Sequence, residues 1–444
     1  MQTHHTPLLQ SVVGSCIRAV RGRMAHPVDL NDSQDWQYLE DGLLIADVKG
    51  NIIHLGAFEA ADTQYKSLNC FQLGPEMTLL PGLIDLHTHL PQYSVTGAQE
   101  ASLLEWLEKH IFPVEASFEN ASVVGAQTAQ FLKALLAAGT TTAAVFLTVH
   151  PPLVDAVFQA ASAVGPRLIT GLNLMDCNGP KTLLRSPKSL LADTEALCTQ
   201  WHGQNRGKLF YAWMPRFALS CSPELLAGVG ALREKYPDVY LHTHLSEQLS
   251  EIRAVSQTFP DCPHYAGVYE QFGLLGPKSL FAHSIHLSQA EWETIQESDS
   301  SVIHCPSANF FLKSGRFPWE KLNTDFKNIP MGLGSDVGAG PSLCMFDVMR
   351  DAQYMQPDSL ISVRQLFHAA TLRAAHALQL ESEIGNFKPG KAFDAIVVQT
   401  SPSKTQLDEI LAELIYTGDD RNVLMNVVQG EVAYCRASLS NSIK

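Results

Sequence analysis

The sequence predicts an α/β protein, a (β/α)8 TIM-like barrel with a small β-sandwich domain built from both ends of the chain. Two observations predict it. Between residues 81 and 384, strand-like runs alternate with helical patterns, and eight such units over roughly 300 residues match a barrel with insertions. Short β-rich segments flank this region on both sides. The eight candidate strands begin near Gly82, Thr140, Leu168, Leu209, Val239, Ser279, Ser301 and Pro330.

The two ends of the chain contain the strands of the smaller domain. Residues 41–56 are typical of a β-hairpin with a Gly50-Asn51 turn, and residues 393–398 and 426–434 are strand-like. We expect these segments to pack together, which assigns residues 1–80 and 385–444 to the sandwich and residues 81–384 to the barrel. Helices are predicted at residues 122–138 and 364–380, where apolar residues recur with helical spacing.

The composition excludes several classes of function. Hydrophobic residues make up 45% and charged residues 17% of the 444 residues, as in a globular protein with a large core. Acidic residues outnumber basic ones 45 to 31, which argues against a nucleic-acid partner. No apolar run reaches the roughly 18 residues that a membrane span requires. The 9 cysteines are dispersed and form no C-x-x-C pair, so we expect reduced thiols in the cytoplasm.

The segment PGLIDLHTH, residues 81–89, contains the most informative pattern in the chain. It predicts a buried strand that ends in a His-x-His pair. Side chains two apart on a strand point to the same side, so His87 and His89 could bind one metal ion. Such a pair is weak evidence alone, because the chain has 17 histidines and a second pair at His242 and His244.

Polar and titratable residues recur where the predicted strands end. In a barrel of parallel strands these ends meet at one rim, which is where reacting groups lie. Randomly placed core histidines would not follow that register, so the rim is the predicted site. In strand order the residues are His87 and His89, then Asn173 to Asp176, Arg216, His244, His283, His304 and Asp336.

The motifs around these residues resemble the amidohydrolase superfamily and, within it, the guanine deaminase family. The resemblance extends from about residue 41 to 434. The segments that carry it are PGLIDLHTHLPQYS, LLEWLEKHIFPVEASFEN, PRFALSCS, HTHLSE, AHSIHLS, HCPSANFFLKSG, GLGSDVGAG, EIGNFKPGKAFDAIVV and YTGDDRN. The superfamily pattern is the His-x-His pair with a later His, His and Asp. The matches more specific to guanine deaminases are Pro91-Gln92-Tyr93, Pro215-Arg216-Phe217 with Ser220-Cys221-Ser222, and residues 418–422, GDDRN.

The resemblance implies a site with one zinc ion, for which iron could substitute. The implied ligands are His87, His89, His244 and Asp336. Lysine is absent at the end of the fourth predicted strand, residues 213–216, where two-metal relatives have a bridging carboxylated lysine. His242 is expected to be a core histidine or to support a ligand. His304 could line the pocket or only support its strand.

The resemblance also implies the catalytic and base-binding residues. Glu247 would be a general acid, and Asp336 with His283 would take the proton that water loses. Gln92, Arg216 and Phe217 would bind the purine, with Glu247 and Asp336 also contacting it. Arg216 has an alternative reading, in which it only neutralises a nearby carboxylate such as Asp176.

The implied activity is hydrolytic deamination of guanine to xanthine and ammonia by a homodimer. One alternative is a deaminase or hydrolase of another heterocycle, such as cytosine, an adenosine-type base, a pterin or a triazine. Another is a non-catalytic paralogue that only binds. Residues 284–286 and 310–313 depart from the family pattern, which leaves the strictness of the guanine preference open.

Overall fold

The computed structural model describes residues 13–100, 102–437 and 439 and contains two sheets. One is a nearly closed barrel of parallel strands, and the other is a mixed sheet built from the two ends of the chain. The predicted fold class is therefore confirmed. The predicted boundaries near residues 80 and 385 stay a prediction, and residues 1–12, 438 and 440–444 of the assigned sandwich lie outside the described residues.

The barrel strands are almost completely buried because helices cover their outer side, as parallel sheets require. Each strand begins within one residue of the predicted position. A short extra strand, β9, pairs with β10 beyond the end of β8. The barrel strands are β6 (Leu83–His89), β7 (Thr140–Phe146), β8 (Arg167–Thr170), β9 (Asn173–Leu174), β10 (Leu209–Pro215), β11 (Tyr240–Leu245), β12 (Ser279–His283), β13 (Ser301–His304) and β14 (Met331–Leu333).

Closure of the barrel joins its first strand to the residues that follow its last one. The backbone N–H of Asp336 donates to the carbonyl of His87 at 2.8 Å. Next to it, the backbone N–H of Ser335 donates to Asp85 Oδ1 at 3.0 Å, and the Ser335 hydroxyl donates to Asp85 Oδ2. This joint places Asp336 directly beside the His-x-His pair.

The second sheet combines both chain ends in the order β17-β16-β15-β5-β1-β2-β3, with β4 against β1. Its apolar core is separate from that of the barrel and includes Val20, Leu44, Leu79, Val397 and Val427. The predicted hairpin at residues 41–56 is present as the β2–β3 pair. The strands are β1 (Ala19–Pro27), β2 (Trp36–Ala46), β3 (Ile52–Ala57), β4 (Phe71–Gln72), β5 (Met77–Pro81), β15 (Ala395–Gln399), β16 (Val423–Val428) and β17 (Glu431–Cys435).

The helices surround the barrel and cover its rim. A π-helix, Leu107–Ile111, joins α2 to α3. An irregular turn is formed by Gln204–Gly207. Short 3-10 helices occur at Phe58–Ala60, Pro91–Val95, Ala218–Ser220 and Asp420–Asn422. The α-helices are α1 (Thr63–Lys66), α2 (Leu103–Trp106), α3 (Phe112–Ser117), α4 (Ala121–Ala137), α5 (Pro151–Val164), α6 (Pro187–Trp201), α7 (Pro223–Lys235), α8 (Leu249–Thr258), α9 (Tyr265–Gln271), α10 (Gln289–Glu297), α11 (Pro306–Phe311), α12 (Trp319–Thr324), α13 (Met345–Tyr354), α14 (Val363–Ala369), α15 (Leu372–Ala377) and α16 (Leu407–Tyr416).

Two element predictions were wrong in detail. Residues 426–434 form parts of two antiparallel strands, because Gln429 and Gly430 adopt positive φ angles of 50° and 74° and make a tight turn. Residues 364–380 form two helices rather than one, because Thr371 between them leaves the helical region with φ −134° and ψ −96°. Within the described residues, no helix combines the length and apolarity that a membrane crossing needs.

Gly171 tests how tightly the barrel wall is packed. A Cβ at this position would lie 2.0 Å from the Ala212 carbonyl oxygen of β10, so backbone must move. We expect Gly171→Ala to lower the free energy of unfolding by about 2–3 kcal/mol, in the range of overpacked cores. Gly125→Ala is the matched control, since Gly125 is exposed within α4 and has open space around it. It should stabilise by roughly 0.5–1 kcal/mol. Urea denaturation measures both, and equal effects would contradict the packing argument.

Candidate active site

The four predicted metal ligands converge at the rim of the barrel. His89 Nε2 lies 3.2 Å from His87 Nε2 and 3.3 Å from His244 Nε2. Asp336 Oδ1 lies 3.2 Å from His89 Nε2 and 3.4 Å from His87 Nε2. His87 and His89 come from the end of β6, His244 from β11, and Asp336 from the segment after β14. Residues that are far apart in sequence therefore present one group of donor atoms.

These donor atoms fit a tetrahedral divalent ion. An ion with metal–nitrogen distances of about 2.0–2.1 Å separates its ligand atoms by about 3.3 Å, close to the spacing seen here. Burial lowers the pKa of His87 to about 4 and that of His244 well below its usual value, so both rings are neutral ligands at neutral pH. A divalent cation between these neutral nitrogens would use the lone pairs that they direct at one another.

Hydrogen bonds at the far side of two rings determine which nitrogen is free to bind. His244 Nδ1 lies 2.7 Å from the Arg216 carbonyl oxygen, which can only accept, so the proton is on Nδ1 and Nε2 keeps its lone pair. His87 Nδ1 lies 2.9 Å from His242 Nε2, which can accept from His87 in the same way. His242 thus supports a ligand and, with Nε2 used, is not part of the donor group.

A further donor lies close to the group but is a poor ligand. The Cys305 sulfur is within 4.8 Å of donor atoms of His87, His283 and Asp336. Burial raises the pKa of the Cys305 thiol well above its usual value, so the thiol keeps its proton. A protonated thiol does not compete with neutral imidazoles for a metal.

A small cavity opens on the donor group. The predicted base-binding residues Gln92, Arg216 and Phe217 all line it. Apolar side chains from α2, the π-helix and residue 312 cover its other side. The complete lining is His89, Gln92, Leu103, Trp106, Leu107, Arg216, Phe217, His244, Glu247, Glu251, His283, Leu312 and Asp336.

Glu247 lies in this cavity in a dry environment. Its side chain is buried, and burial raises its pKa to about 7. Glu247 Oε1 accepts a hydrogen bond from the Ser314 hydroxyl at 2.9 Å, and Oε2 lies 3.5 Å from His283 Nε2. A carboxyl group with this pKa can hold a proton at neutral pH and donate it.

His283 lies between the two carboxyl groups of the site. Its Nε2 is 3.5 Å from Glu247 Oε2 and 3.7 Å from Asp336 Oδ2. Burial lowers the pKa of His283, but the charges of Glu247 and Asp336 outweigh burial and raise it overall. Its Nδ1 lies 2.8 Å from Asn309 Oδ1, which orients the ring. His283 can therefore exchange protons with either carboxylate.

Arg216 forms a buried ion pair, but not with Asp176. Its Nη1 donates to Glu115 Oε2 at 2.6 Å, and both side chains are almost fully buried. Asp176 instead accepts from the backbone N–H of Ser222 at 2.7 Å. The suggested Asp176 partner was wrong, because β10 directs the arginine toward α3 at the rim.

Two other histidines near the rim lie outside the cavity lining. His304 stacks on Phe317 with ring centroids 4.7 Å apart, and burial lowers its pKa to about 3. This places His304 in the core behind its strand. His286 Nε2 lies 2.7 Å from the Ser314 carbonyl oxygen, so His286 stabilises the loop that contains Ser314 through a hydrogen bond.

Sequence reasoning missed several polar residues that hold the site in place. Asp85 lies two residues before His87 on the same side of β6, a spacing that could have indicated it. Glu115, Asn309 and Ser314 lie inside the quoted motifs and Gln248 directly follows one, but nothing in the sequence indicated which side chains they would meet. Their partners come from other segments of the chain.

The fold and this donor set define a metal-dependent hydrolase, and the sequence comparison agrees. Residues 78–433 match the amidohydrolase family, and the chain belongs to that family. Within it, the chain is 37% identical to guanine deaminase of Escherichia coli over 449 aligned residues, which cover 98% of this chain and 100% of that protein. Guanine deaminase of Homo sapiens is 31% identical, over 87% of this chain and 90% of that one.

Solved structures show the same relationship. Guanine deaminase from C. acetobutylicum, with guanine bound in its active site, superposes with a TM-score of 0.88 at 30% identity. The match covers 94% of this chain and 99% of that chain. The fold is therefore shared over almost the whole length of both chains.

The buried Arg216–Glu115 pair allows a test of stability. Arg216→Met leaves the Glu115 carboxylate buried without a partner, which costs about 3–5 kcal/mol. The double variant Arg216→Met/Glu115→Gln removes the stranded charge, so it should recover most of that loss. Urea denaturation of the three proteins measures the difference. A double variant no more stable than Arg216→Met would contradict the ion-pair explanation.

Proposed function

We propose that the protein hydrolyses guanine to xanthine and ammonia at a site with one metal ion. The observation that supports this best is the cavity itself, where a buried carboxyl group, a metal-type donor set and two planar polar side chains face the same space. The similarity to guanine deaminases, one of them solved with guanine bound, supports guanine as the base.

We propose zinc as the metal, with iron as a possible substitute. His87, His89, His244 and Asp336 would hold it, since their spacing and neutral imidazoles suit a small divalent ion. Such an ion, when bound, supplies Lewis acidity that lowers the pKa of water to about 7.

The base would lie flat in the cavity against Gln92, Arg216 and Phe217. The Gln92 amide and the Arg216 guanidinium are planar groups that can hydrogen-bond to the edge of a purine. The Arg216 side chain is fixed by Glu115 at 2.6 Å, so its donors need little ordering when the base binds. Leu103, Trp106, Leu107 and Leu312 exclude bulk water from the reacting face.

Glu247 would protonate the ring nitrogen beside the amino-bearing carbon, which makes that carbon a better electrophile. Its raised pKa, near 7, allows it to arrive with a proton. The oxygen of water would add to that carbon while Asp336 accepts the proton that water loses, at Oδ2, with His283 Nε2 3.7 Å away to share it. That proton would pass to the amino group, which leaves as ammonia, and the new hydroxyl group would return its proton to Glu247 as the carbonyl of xanthine forms.

Glu247→Gln tests the acid role, because glutamine keeps the shape of the side chain but cannot donate a carboxylic proton. We expect kcat to fall by about 10²–10⁴-fold, while one metal ion per chain remains bound. Steady-state ammonia release and metal analysis of the same sample give both values. Activity near that of the parent protein would refute the acid role, and loss of metal would indicate a structural defect.

The choice of base is tested by ammonia release from guanine, cytosine, adenine and pterins at equal concentration. We expect guanine to give the highest kcat/KM, because Gln92 and Arg216 lie where its polar edge would bind. Higher activity on another base would replace guanine with a different heterocycle. Full metal content with no turnover on any base would favour a binding paralogue.

The proposed location is the cytoplasm. All nine cysteines lie within the described residues and are free thiols, as a reducing compartment requires. The expected homodimer stays a prediction.

A further inference from the structure

Gln248 lies between the two parts of the chain that cover the cavity. One part is the cover segment, residues 103–117, whose Leu103, Trp106 and Leu107 line the cavity. The other is the 312–314 loop, whose Leu312 also lines it. Gln248 directly follows Glu247 in sequence, and its side chain is buried. A substrate in the cavity is therefore enclosed by two segments that meet at this amide.

The Gln248 amide binds both segments at once. Its Oε1 accepts from the backbone N–H of Leu103 at 3.2 Å, with the Ser250 hydroxyl also 3.5 Å away. Its Nε2 donates to the Leu312 carbonyl at 2.9 Å and to the Ser314 hydroxyl at 3.3 Å. Since a backbone N–H only donates and a carbonyl only accepts, these partners permit just one orientation of the amide.

The same contacts continue to Glu247. The Ser314 hydroxyl accepts from Gln248 and donates its one proton to Glu247 Oε1 at 2.9 Å. A hydroxyl that accepts at one lone pair has its proton directed away from that donor, and here it is directed to the carboxyl group. The side chain of Gln248 thus fixes the direction of the hydrogen bond that Glu247 receives.

The backbone of Glu247 and Gln248 is held in place by hydrogen bonds to Glu251, whereas the cover segment has an irregular helical structure. Glu251 Oε2 accepts from the backbone N–H groups of Glu247 and Gln248 at 3.0 Å and 3.2 Å. The cover segment contains the π-helix Leu107–Ile111, a form that is concentrated at functional sites. Its other end is held by the contact of Glu115 with Arg216. Opening the cover must break the Gln248 contact, since Leu103 donates to it.

We propose that Gln248 is a positioning residue that closes the cover segment over the substrate and, through Ser314, aligns Glu247 in the closed state. This inference rests on the proposed function of Glu247. Closure and alignment of the acid are then one event, because the same amide makes both sets of contacts. Bulk water is excluded at the moment when the carboxyl group points at the base.

Three variants separate the two roles in the metal-loaded enzyme. Gln248→Leu removes every contact of the amide. Gln248→Glu keeps an acceptor for Leu103 but loses the donors to the 312–314 loop. Ser314→Ala removes only the hydrogen bond to Glu247. Gln289→Leu, on the exposed side of α10, is the control for the substitution itself. Hydrogen–deuterium exchange reports on the cover segment, and steady-state kinetics separate kcat from KM.

We expect Gln248→Leu to speed exchange in residues 103–117 by about tenfold and to lower kcat by a similar factor, as the loss of one or two buried hydrogen bonds implies. Ser314→Ala and Gln248→Glu should lower kcat about tenfold with exchange in the cover segment unchanged and KM within about twofold. Gln289→Leu should match the parent protein in both measurements.

Parent-like exchange of residues 103–117 in Gln248→Leu would overturn the closing role. Parent-like kcat in Ser314→Ala would overturn the alignment of Glu247. If Gln248→Leu does not fold, the other two variants still decide the alignment. If the parent protein turns over no guanine, the proposed function and the alignment role fail together, whereas the exchange comparison still decides the closing role.

Discussion

The joint between the first and last strands of the barrel is the constraint on which the site depends. The backbone N–H of Asp336 reaches the carbonyl of His87, and Ser335 holds the Asp85 carboxyl group beside it. Burial raises the pKa of Asp85 to about 7, against the opposing effect of the Ser335 hydrogen bonds. A buried carboxyl group that receives this many hydrogen bonds is costly to displace. The joint therefore fixes the separation of Asp336 from the histidine pair.

Buried carboxyl groups near the cavity have different partners, and the partners decide their roles. Glu115 faces the guanidinium of Arg216, so it is a structural counterion. Glu251 accepts two backbone N–H groups and the Tyr265 hydroxyl, so it anchors the start of α8. Among the described residues, Glu247 is contacted by the Ser314 hydroxyl and, at 3.5 Å, by His283 Nε2, so few hydrogen bonds favour its charged form.

Much of the fold was predictable because buried parallel strands give short apolar runs that end in polar residues. The positions of His244 and His283 at the ends of β11 and β12, and of Asp336 after β14, followed from that pattern and are present in the structure. No Gly or Pro marks the helix break at Thr371, so it was not predictable, whereas Gly430 between two apolar runs was a turn signal that the prediction overlooked. Strands β1 and β5 were also missed. Strand β5 pairs with β15 from the opposite end of the chain, whereas β1 pairs mainly with the neighbouring β2.

The metal-type donor residues of the site were predictable because histidine and aspartate at a barrel rim suggest one role. Side chains whose role depends on a particular contacting residue were not predictable. Histidine pairs and an aspartate at the rim indicated a donor group. Whether Asp176 or Glu115 pairs with Arg216 depends on the three-dimensional arrangement of distant segments. The same is true of Gln248, whose four contacts come from three separate segments. Roles that depend on distant partners leave no local pattern in a single sequence.

Arg216 serves the site with two parts that are chemically independent. Its main-chain oxygen fixes the protonated nitrogen of His244, whereas its guanidinium pairs with Glu115 beside the cavity. Any amino acid would supply the same oxygen. The side chain at this position can therefore change, provided that its buried counterion Glu115 changes with it, while the histidine below keeps its tautomer.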